Sequence, residues 1–267
     1  MLNAHPQIAA PPECGFLQWW FSKYESWDEC NAASAEDVVH YVNDVLASKK
    51  IETWGLDRQG LIEFITRSKP AGYASLGISV YLYWAIKQQR NPTLIVDKNN
   101  YYVRHLKELN RIWDDAKYIH IIRDGRDVAC SYLDVGKLNM TSPYQPELPR
   151  RLKDIADEWV FNNTSIGDFL QRMDTDRYVT IRYEDLVQST QTVLQRITDF
   201  LGIPFSGRML EYYKYNDEPE STLAWKKKTL EPPDPEAIGR YKKQLSEQEN
   251  ELFESVAASM LKQFNYL

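Results

Sequence analysis

The sequence predicts an α/β fold in which a mainly parallel sheet is covered by helices. Three short apolar segments with the character of strands alternate with amphipathic helical segments along the 267 residues, an order typical of parallel sheets. The segment at residues 118–122 is apolar on both faces apart from His120, as expected for a strand covered on both sides. No Gly/Ser-rich linker interrupts the chain, so we expect residues 1–267 to form one domain.

The first 90 residues are predicted to be mostly helical. The chain begins with Met-Leu and then a turn, without an opening strand. Ser34 and Asp37 have the spacing of a capping box at a helix start. Residues 93–96 (TLIV), after Pro92, are the first strand candidate. Apolar residues at helical spacing mark three helices: Val38, Val42, Val45 and Leu46; Leu61, Ile62 and Ile65; and Ile78, Leu82, Ala85 and Ile86.

The rest of the chain continues this alternation. Residues 102–113 are predicted to be a helix, residues 118–122 a strand, and a further helix is expected from about Asp127. A proline-marked loop leads to a long helix over residues 152–170, and residues 178–181 (YVTI) form the third strand. The next helix is predicted to end at Gly202, and the last to begin at Ser246 with Glu249 completing a capping box.

Composition narrows the classes of function and compartment. The net charge is −6, so a nucleic-acid partner is not expected, and an anionic ligand must be held by a local cluster of cations. The 17 Tyr and 8 Trp indicate an aromatic-lined pocket or, in our preferred interpretation, an aromatic core. Three cysteines without metal-type spacing predict reduced thiols. With neither a signal peptide nor a membrane-spanning stretch in this sequence, we expect a cytoplasmic protein.

The most informative segment is YIHIIRDGRDVACSY, residues 118–132. Ligands of open α/β sheets bind beyond the carboxyl ends of the strands, where Arg123 lies. A helix N-terminus follows, and Ser131 lies about one turn into that helix, so the segment is suited to a phosphate. The alternative is a surface loop in which Arg126 pairs with Asp124 or Asp127 and one of these aspartates caps the helix. With Asp127 as the cap and Arg126 as a surface charge, this interpretation is equally acceptable.

This segment resembles the 3′-phosphate-binding segment of sulfotransferases that use 3′-phosphoadenosine 5′-phosphosulfate (PAPS). Four further blocks resemble that family in the same order, so the resemblance covers nearly the whole chain. They are residues 5–13 (HPQIAAPPE), 97–99 (DKN), 181–187 (IRYEDLV) with 200–204 (FLGIP), and 238–246 (IGRYKKQLS). The resemblance implies the P-loop-NTPase-like form of the α/β fold.

The resemblance also implies which residues bind the nucleotide. Arg123 and Ser131 would hold the 3′-phosphate. Tyr183 would approach the adenine, or would simply pack on the sheet. Ser221 and Arg240 would belong to a C-terminal segment that folds over the nucleotide, or would be ordinary surface residues.

Two residues are candidates for catalysis. Glu13 occupies the position at which tyrosylprotein and related bacterial sulfotransferases carry a catalytic glutamate, and a base is needed to take the acceptor's proton. Lys98 corresponds to a lysine that stabilises charge on the transferring group. The alternatives are a helix cap or surface charge for Glu13 and a solvated lysine for Lys98. The cytosolic branch uses a histidine instead, but none of the four histidines lies in its motif. No metal is required.

The family's first strand and 5′-phosphosulfate loop, of the type Arg-Ser-Gly-Thr-Thr, are expected just before residue 1. The sequence lacks this block, so the central strand is expected to be missing from this chain. Three explanations stay open: a start codon assigned at an internal Met, a trimmed sequence, or a degenerate family member.

The resemblance implies sulfuryl transfer from PAPS to a hydroxyl or amine, with adenosine 3′,5′-bisphosphate as the product. The alternatives are a truncated or degenerate family member that binds the nucleotide 3′-phosphate without catalysis and, less favoured, a P-loop kinase. Residues 15–90 and the loop at residues 138–149 are expected to select the acceptor. Their Trp and Tyr content suits a small molecule, carbohydrate, lipid or protein tyrosine.

Overall fold

The computed structural model describes residues 1–139, 142–216 and 218–267. These residues form an α/β fold that is mostly helical and contains short parallel sheets, as the sequence predicts. They divide into two compact units, Met1–Ala116 with Ser206–Pro219, and Lys117–Phe205 with Glu220–Leu267. The single domain expected over residues 1–267 stays a prediction.

The first unit contains six α-helices and one sheet within its described residues. A 3-10 helix over Leu2–Ala4 precedes the first strand, and another covers Gly207–Tyr215. The strands and α-helices are β1 (Ile8–Ala9), α1 (Phe16–Tyr24), α2 (Glu29–Ala33), α3 (Ala35–Leu46), α4 (Arg58–Ser68), α5 (Tyr73–Lys87), β2 (Leu94–Ile95) and α6 (Leu106–Ile112). Two further 3-10 helices cover Ile51–Trp54 and Asn100–Arg104. The helices expected before residue 90 are therefore confirmed.

The sheet of the first unit contains a strand that the sequence did not predict. β1 pairs in parallel with β2, with Ile8 opposite Leu94, although no opening strand was expected. β1 has only two residues, which is too short for periodicity to reveal. Ile8 and Ala9 are fully buried, so burial and the partner strand stabilise β1.

The core of the first unit is rich in aromatic side chains, which confirms the preferred interpretation of the composition. Phe16, Trp54 and Tyr81 are fully buried and contact one another at ring-centroid distances of 5.3–5.8 Å. The apolar face expected for α5 was partly wrong, because Ile86 is 53% exposed. That helix is apolar on most of its circumference, so sequence spacing did not distinguish the face that packs.

The second unit begins with β3 (Tyr118–Ile122), which pairs in parallel with β4 (Tyr178–Arg182). The register places Tyr118 opposite Tyr178 and Ile122 opposite Arg182, so the two strands end at the same edge. The helices are α7 (Gly125–Lys137), α8 (Leu152–Leu170), α9 (Tyr183–Gln188), α10 (Thr190–Leu201), α11 (Glu220–Lys226), α12 (Tyr241–Gln244) and α13 (Glu247–Gln263). Met140 and Thr141, in the expected acceptor loop, lie outside the described residues.

The core of the second unit is formed largely by α7, α8 and α13 against β3. Ile122, Trp159 and Phe253 are buried in it. The expected helix ends are confirmed: Gly202 adopts φ 76° after α10, and Ser246 with Glu249 forms a capping box at the start of α13.

All three cysteines are free thiols, as the sequence predicted. Cys14 and Cys130 are buried, in the first and the second unit respectively, whereas Cys30 is exposed. Among the described residues, the helices are too short or too polar to cross a bilayer.

Candidate functional site

The loop between β3 and α7 is organised by Asp124, not by Asp127 as one interpretation held. The Asp124 carboxylate accepts a hydrogen bond from the Arg126 backbone N–H at 2.9 Å and so caps α7. The helix therefore begins at Gly125, two residues before the position expected from the sequence. Of the two aspartates that the sequence offers as caps, the helix uses Asp124, which lies two residues after the end of β3.

Arg126 is likewise not the surface charge that this interpretation made it. Its side chain is buried and forms a bidentate pair with Asp124, at 3.0 and 2.8 Å. The guanidinium also donates to the Glu254 carboxylate at 2.6 Å and to the Tyr266 carbonyl at 2.8 Å. The guanidinium is thus occupied by protein partners on several sides and is not available to a ligand.

Three of the nucleotide-binding candidates meet beyond β3. The guanidinium of Arg123 donates to the Ser131 hydroxyl at 3.3 Å and to the Ala237 carbonyl at 2.7 Å. Its carbon Cζ lies 4.5 Å from the ring centroid of Tyr183, at the start of α9. The parallel register of β3 and β4 explains this meeting, because both strands deliver their following residues to one edge.

Arg123 retains hydrogen-bonding capacity in this position. Within the described part of the chain, its buried Nε–H has no hydrogen-bond partner. Buried donors are nearly always paired in folded proteins, and an arginine beside a hydroxyl is a strong recognition element for phosphate. The residues around Arg123 therefore fit an anionic group such as the 3′-phosphate.

Arg240 lies in a segment held by Asp127. The Asp127 carboxylate is fully buried and accepts hydrogen bonds from the backbone N–H groups of Gly239 (2.7 Å) and Tyr241 (3.0 Å). These two residues flank Arg240, whose guanidinium pairs with the carboxylate of Asp134 on α7. Gly239 has φ 70°, in the left-handed region that glycine tolerates best.

A cavity of about 930 Å³ opens next to this segment, within the second unit. Ser131 and Arg240 line it, together with the aromatic side chain of Trp225 and the cations Lys227 and Lys228. Ser221 lies exposed in α11 and is not among the residues that line the cavity. The lining of the cavity therefore does not support the predicted role of Ser221 in binding the nucleotide.

Glu184 joins the two strand ends and was assigned no role from the sequence. Its carboxylate is buried and accepts a hydrogen bond from the Asp124 backbone N–H at 2.9 Å. The Tyr266 hydroxyl donates to the other carboxylate oxygen at 2.8 Å. Glu184, in the RYED run at residues 182–185, therefore holds the loop of residues 123–127 (the arginine loop) in place. The position of Glu184 just after β4 could have suggested this role.

The two catalytic candidates meet in the first unit. The Glu13 carboxylate lies 2.9 Å from the ammonium of Lys98 through Oε2, and 2.9 Å from that of Lys50 through Oε1. Burial alone would raise the pKa of Glu13, but the two lysines outweigh it and lower the pKa to about 2. Glu13 is consequently ionised throughout the neutral range.

Lys50 is a site residue that sequence reasoning missed. It follows α3 in the run Ser-Lys-Lys, which is typical of the end of a helix and carries no functional signal. Only the tertiary fold brings it to Glu13, 37 residues away in the chain.

The model of a protein family described as "Sulfotransferase family" matches residues 1–207. A 3-alpha-hydroxysteroid sulfotransferase from Cavia porcellus is 25% identical over 128 residues, which are 45% of this chain and 42% of that relative. The match thus spans less than half the length of the curated relative.

Two solved structures resemble this fold. The sulfotransferase domain from the curacin biosynthetic pathway has a TM-score of 0.58 and 20% identity, with 97% of this chain and 90% of that chain covered. The sulfotransferase domain from the Synechococcus PCC 7002 olefin synthase has a TM-score of 0.56 and 23% identity, with 96% and 87% covered. At these identities the likeness concerns the fold.

Proposed function

The chain belongs to the sulfotransferase family, and on that premise we propose that it transfers a sulfuryl group from PAPS to the hydroxyl or amine of an acceptor. The observation that carries the proposal is the Arg123 side chain beyond β3. It contacts Ser131 and Tyr183 and retains a buried N–H that can donate to a phosphate oxygen. A bidentate or forked arginine contact beside a hydroxyl is well matched to a terminal phosphate.

The nucleotide-binding roles are proposed residue by residue. Arg123 and Ser131 would hold the 3′-phosphate, and Tyr183 would face the adenine with the part of its ring that Arg123 leaves free. Arg240 would exchange its partner Asp134 for a phosphate oxygen when the nucleotide binds. Ser221 would complete the C-terminal segment by a hydrogen bond from its exposed hydroxyl.

The chemical roles are proposed for Glu13 and Lys98. PAPS supplies an activated sulfuryl group, and the acceptor must lose a proton as it attacks. Glu13 is ionised at neutral pH and so can accept that proton. Lys98, whose side chain is 65% exposed, can move from Glu13 to the anionic group and stabilise its charge.

A small-molecule acceptor is favoured over a carbohydrate, lipid or protein. One relative is, by its name, a hydroxysteroid sulfotransferase, and the two similar structures are domains of a curacin pathway and an olefin synthase. All three names concern small molecules, so a panel of hydroxylated small molecules is the first set of acceptors to test.

The 3′-phosphate assignment is tested by the melting temperature in the presence of adenosine 3′,5′-bisphosphate. A ligand at about 100 times its Kd adds roughly 2.7 kcal/mol of stability, so we expect a clear rise for the wild type and none for Arg123→Ala. Arg151→Ala removes an exposed arginine of the same unit and should keep the full shift. An equal shift in Arg123→Ala would refute the assignment.

Turnover is tested separately, by transfer of radiolabelled sulfate from PAPS to the acceptor panel. Glu13→Gln should retain the nucleotide-induced rise in melting temperature but lose transfer, because the amide cannot take the acceptor's proton. Nucleotide binding by a wild type that transfers no sulfate to any acceptor would instead favour the non-catalytic alternative.

A further inference from the structure

Lys50 has an unusual backbone conformation for a lysine. Its φ of 76° lies in the left-handed region, which residues with a Cβ seldom adopt unless the surrounding structure holds them there. The carbonyl of Lys50 accepts hydrogen bonds from the backbone N–H and the hydroxyl of Thr53, at 3.0 and 2.7 Å. The lysine is therefore fixed in a rigid turn.

This turn is bound to the chain on both sides of Glu13. The Trp54 indole N–H donates to the Pro12 carbonyl at 2.8 Å, and the Cys14 thiol donates to the Lys49 carbonyl at 3.5 Å. Pro12 and Cys14 are the two neighbours of Glu13 in the sequence, and Lys49 is the neighbour of Lys50. The two contacts therefore fix the position of the turn relative to Glu13, which brings the Lys50 ammonium to the Glu13 carboxylate.

The two lysines around Glu13 differ in their freedom to move. The side chain of Lys50 is 20% exposed and contacts Oε1, whereas that of Lys98 is 65% exposed and contacts Oε2. An exposed lysine can leave a carboxylate for another anion at little cost, but a mostly buried lysine in a rigid turn cannot. The carboxylate therefore has one permanent and one exchangeable partner.

We propose that Lys50 is a positioning residue that holds Oε1 of Glu13, so that Oε2 is the oxygen that accepts the acceptor's proton once Lys98 has moved away. The inference rests on the proposed sulfuryl transfer. The acceptor's proton passes to Oε2 as its oxygen or nitrogen bonds to sulfur. The bond from sulfur to the phosphate oxygen breaks, and its electron pair stays on the phosphate.

The charges that face Glu13 are consistent with a fixed contact to Lys50 and an exchangeable contact to Lys98. Lys50 approaches from the turn after α3, and Lys98 from the segment after β2. Asp97, next to Lys98, is half-buried, and its carboxylate accepts hydrogen bonds from the hydroxyls of Tyr81 (2.6 Å) and Tyr102. Burial raises the pKa of Asp97, and the charge of Glu13 raises it further. The positive charge of Lys98 lowers the pKa of Glu13, so Glu13 would become a stronger base when Lys98 leaves, while Lys50 keeps the carboxylate oriented.

The test measures the pKa of Glu13 directly, by NMR of protein labelled with carbon-13 at its glutamate carboxyls, with Glu13→Gln to identify the signal. In Lys50→Met the pKa of Glu13 should rise by about one unit or more, because one of its two opposite charges is gone. Lys50→Arg should restore the low value. Lys69→Met is the matched control, since Lys69 also has positive φ (46°) but lies exposed after α4.

The kinetic readout separates positioning from folding. Lys50→Met should lower kcat about tenfold or more with little change in the KM for PAPS, and Lys50→Arg should recover most of it. Lys50→Gln, which keeps a polar side chain, replaces Lys50→Met if the latter does not fold. An unchanged Glu13 pKa, or wild-type kcat in a folded Lys50 variant, would overturn the inference. If the wild type transfers no sulfate, the proposed function fails, whereas the NMR titration still decides whether Lys50 holds Glu13.

Discussion

In each unit a single carboxylate binds hydrogen-bond donors that lie far away in the chain. Glu13 contacts Lys50 and Lys98, 37 and 85 residues later. Asp127 binds the backbone of Gly239 and Tyr241, more than 110 residues later. These contacts are charge-assisted, and those of Lys50, Gly239 and Tyr241 are also largely shielded from water, so each of these three contributes more than an exposed ion pair would.

The acid sensitivity of stability is expected to depend on Glu13. The two lysines lower its pKa in the folded protein from an ordinary value of 4.5 to about 2, and the difference corresponds to roughly 3 kcal/mol. Because the folded pKa is lowered, this stability is fully present above pH 4.5 and is lost as the pH falls from 4.5 to about 2. Denaturant unfolding of wild type and Glu13→Gln should show a gap that closes over this window.

The control for this titration is Glu251→Gln, which changes an exposed glutamate of α13. Its unfolding free energy should follow that of the wild type at every pH. A gap between Glu13→Gln and wild type that stays constant from pH 6 to pH 2 would show that the loss does not come from ionisation of Glu13.

At the scale of elements, the junction of β3 and α7 depends on Gly125. A Cβ at this position would lie 2.7 Å from Cζ of Phe253 and from Cδ2 of Trp159, which belong to the core. The glycine of the Arg-Asp-Gly-Arg-Asp run therefore lets the helix start pack directly on α8 and α13. The indole N–H of Trp159 also donates to the Arg123 carbonyl at 3.2 Å, so packing and positioning share the same side chain.

Gly125→Ala is expected to destabilise the protein by about 1–3 kcal/mol through overpacking and to weaken nucleotide binding. Gly136→Ala, in the same helix, has no atom within 4 Å of the added Cβ and should be neutral or stabilising by about 0.5–1 kcal/mol. Thermal unfolding with and without adenosine 3′,5′-bisphosphate measures both effects. Equal stabilities for the two variants would contradict the packing argument.

The elements were predictable where local pattern determined them. β3, β4, α8 and the capping box of α13 follow from apolar runs, helical spacing and side-chain caps, all of which act within a few residues. The strand β1 was not predictable, because two residues carry no period. The phosphate candidates Arg123 and Ser131 could be named from one segment, whereas Lys50 could not, since its meeting with Glu13 depends on tertiary contacts.

At the scale of the whole molecule, each compact unit contains one buried thiol. Burial raises the pKa of the Cys14 thiol to about 12, and that of the Cys130 thiol to about 11. Neither forms the reactive thiolate at neutral pH, whereas Cys30 is exposed. The two buried cysteines therefore report on the opening of the first and the second unit separately.

A disulfide reagent at pH 7.5 is expected to modify Cys30 rapidly and the other two cysteines only as fast as their units open. Mass spectrometry of the digested protein identifies the modified residue, and Cys30→Ser should abolish the rapid phase. Adenosine 3′,5′-bisphosphate should slow the labelling of Cys130, which lies one residue before Ser131. Rapid modification of all three thiols would show that the units do not exclude the reagent.

The hydrogen-bond partners of the arginine loop have a consequence for biosynthesis. Residues 123–127 leave the ribosome well before their partners, which are groups of Ala237, Gly239, Tyr241, Glu254 and Tyr266. The loop cannot reach its final geometry until residues 237–266 have been translated. Until then Arg126 can pair with its neighbour Asp124 but not with Glu254, and Arg123 lacks its contact with the Ala237 carbonyl. The phosphate site therefore becomes functional only after the segments that carry these partners have folded against it.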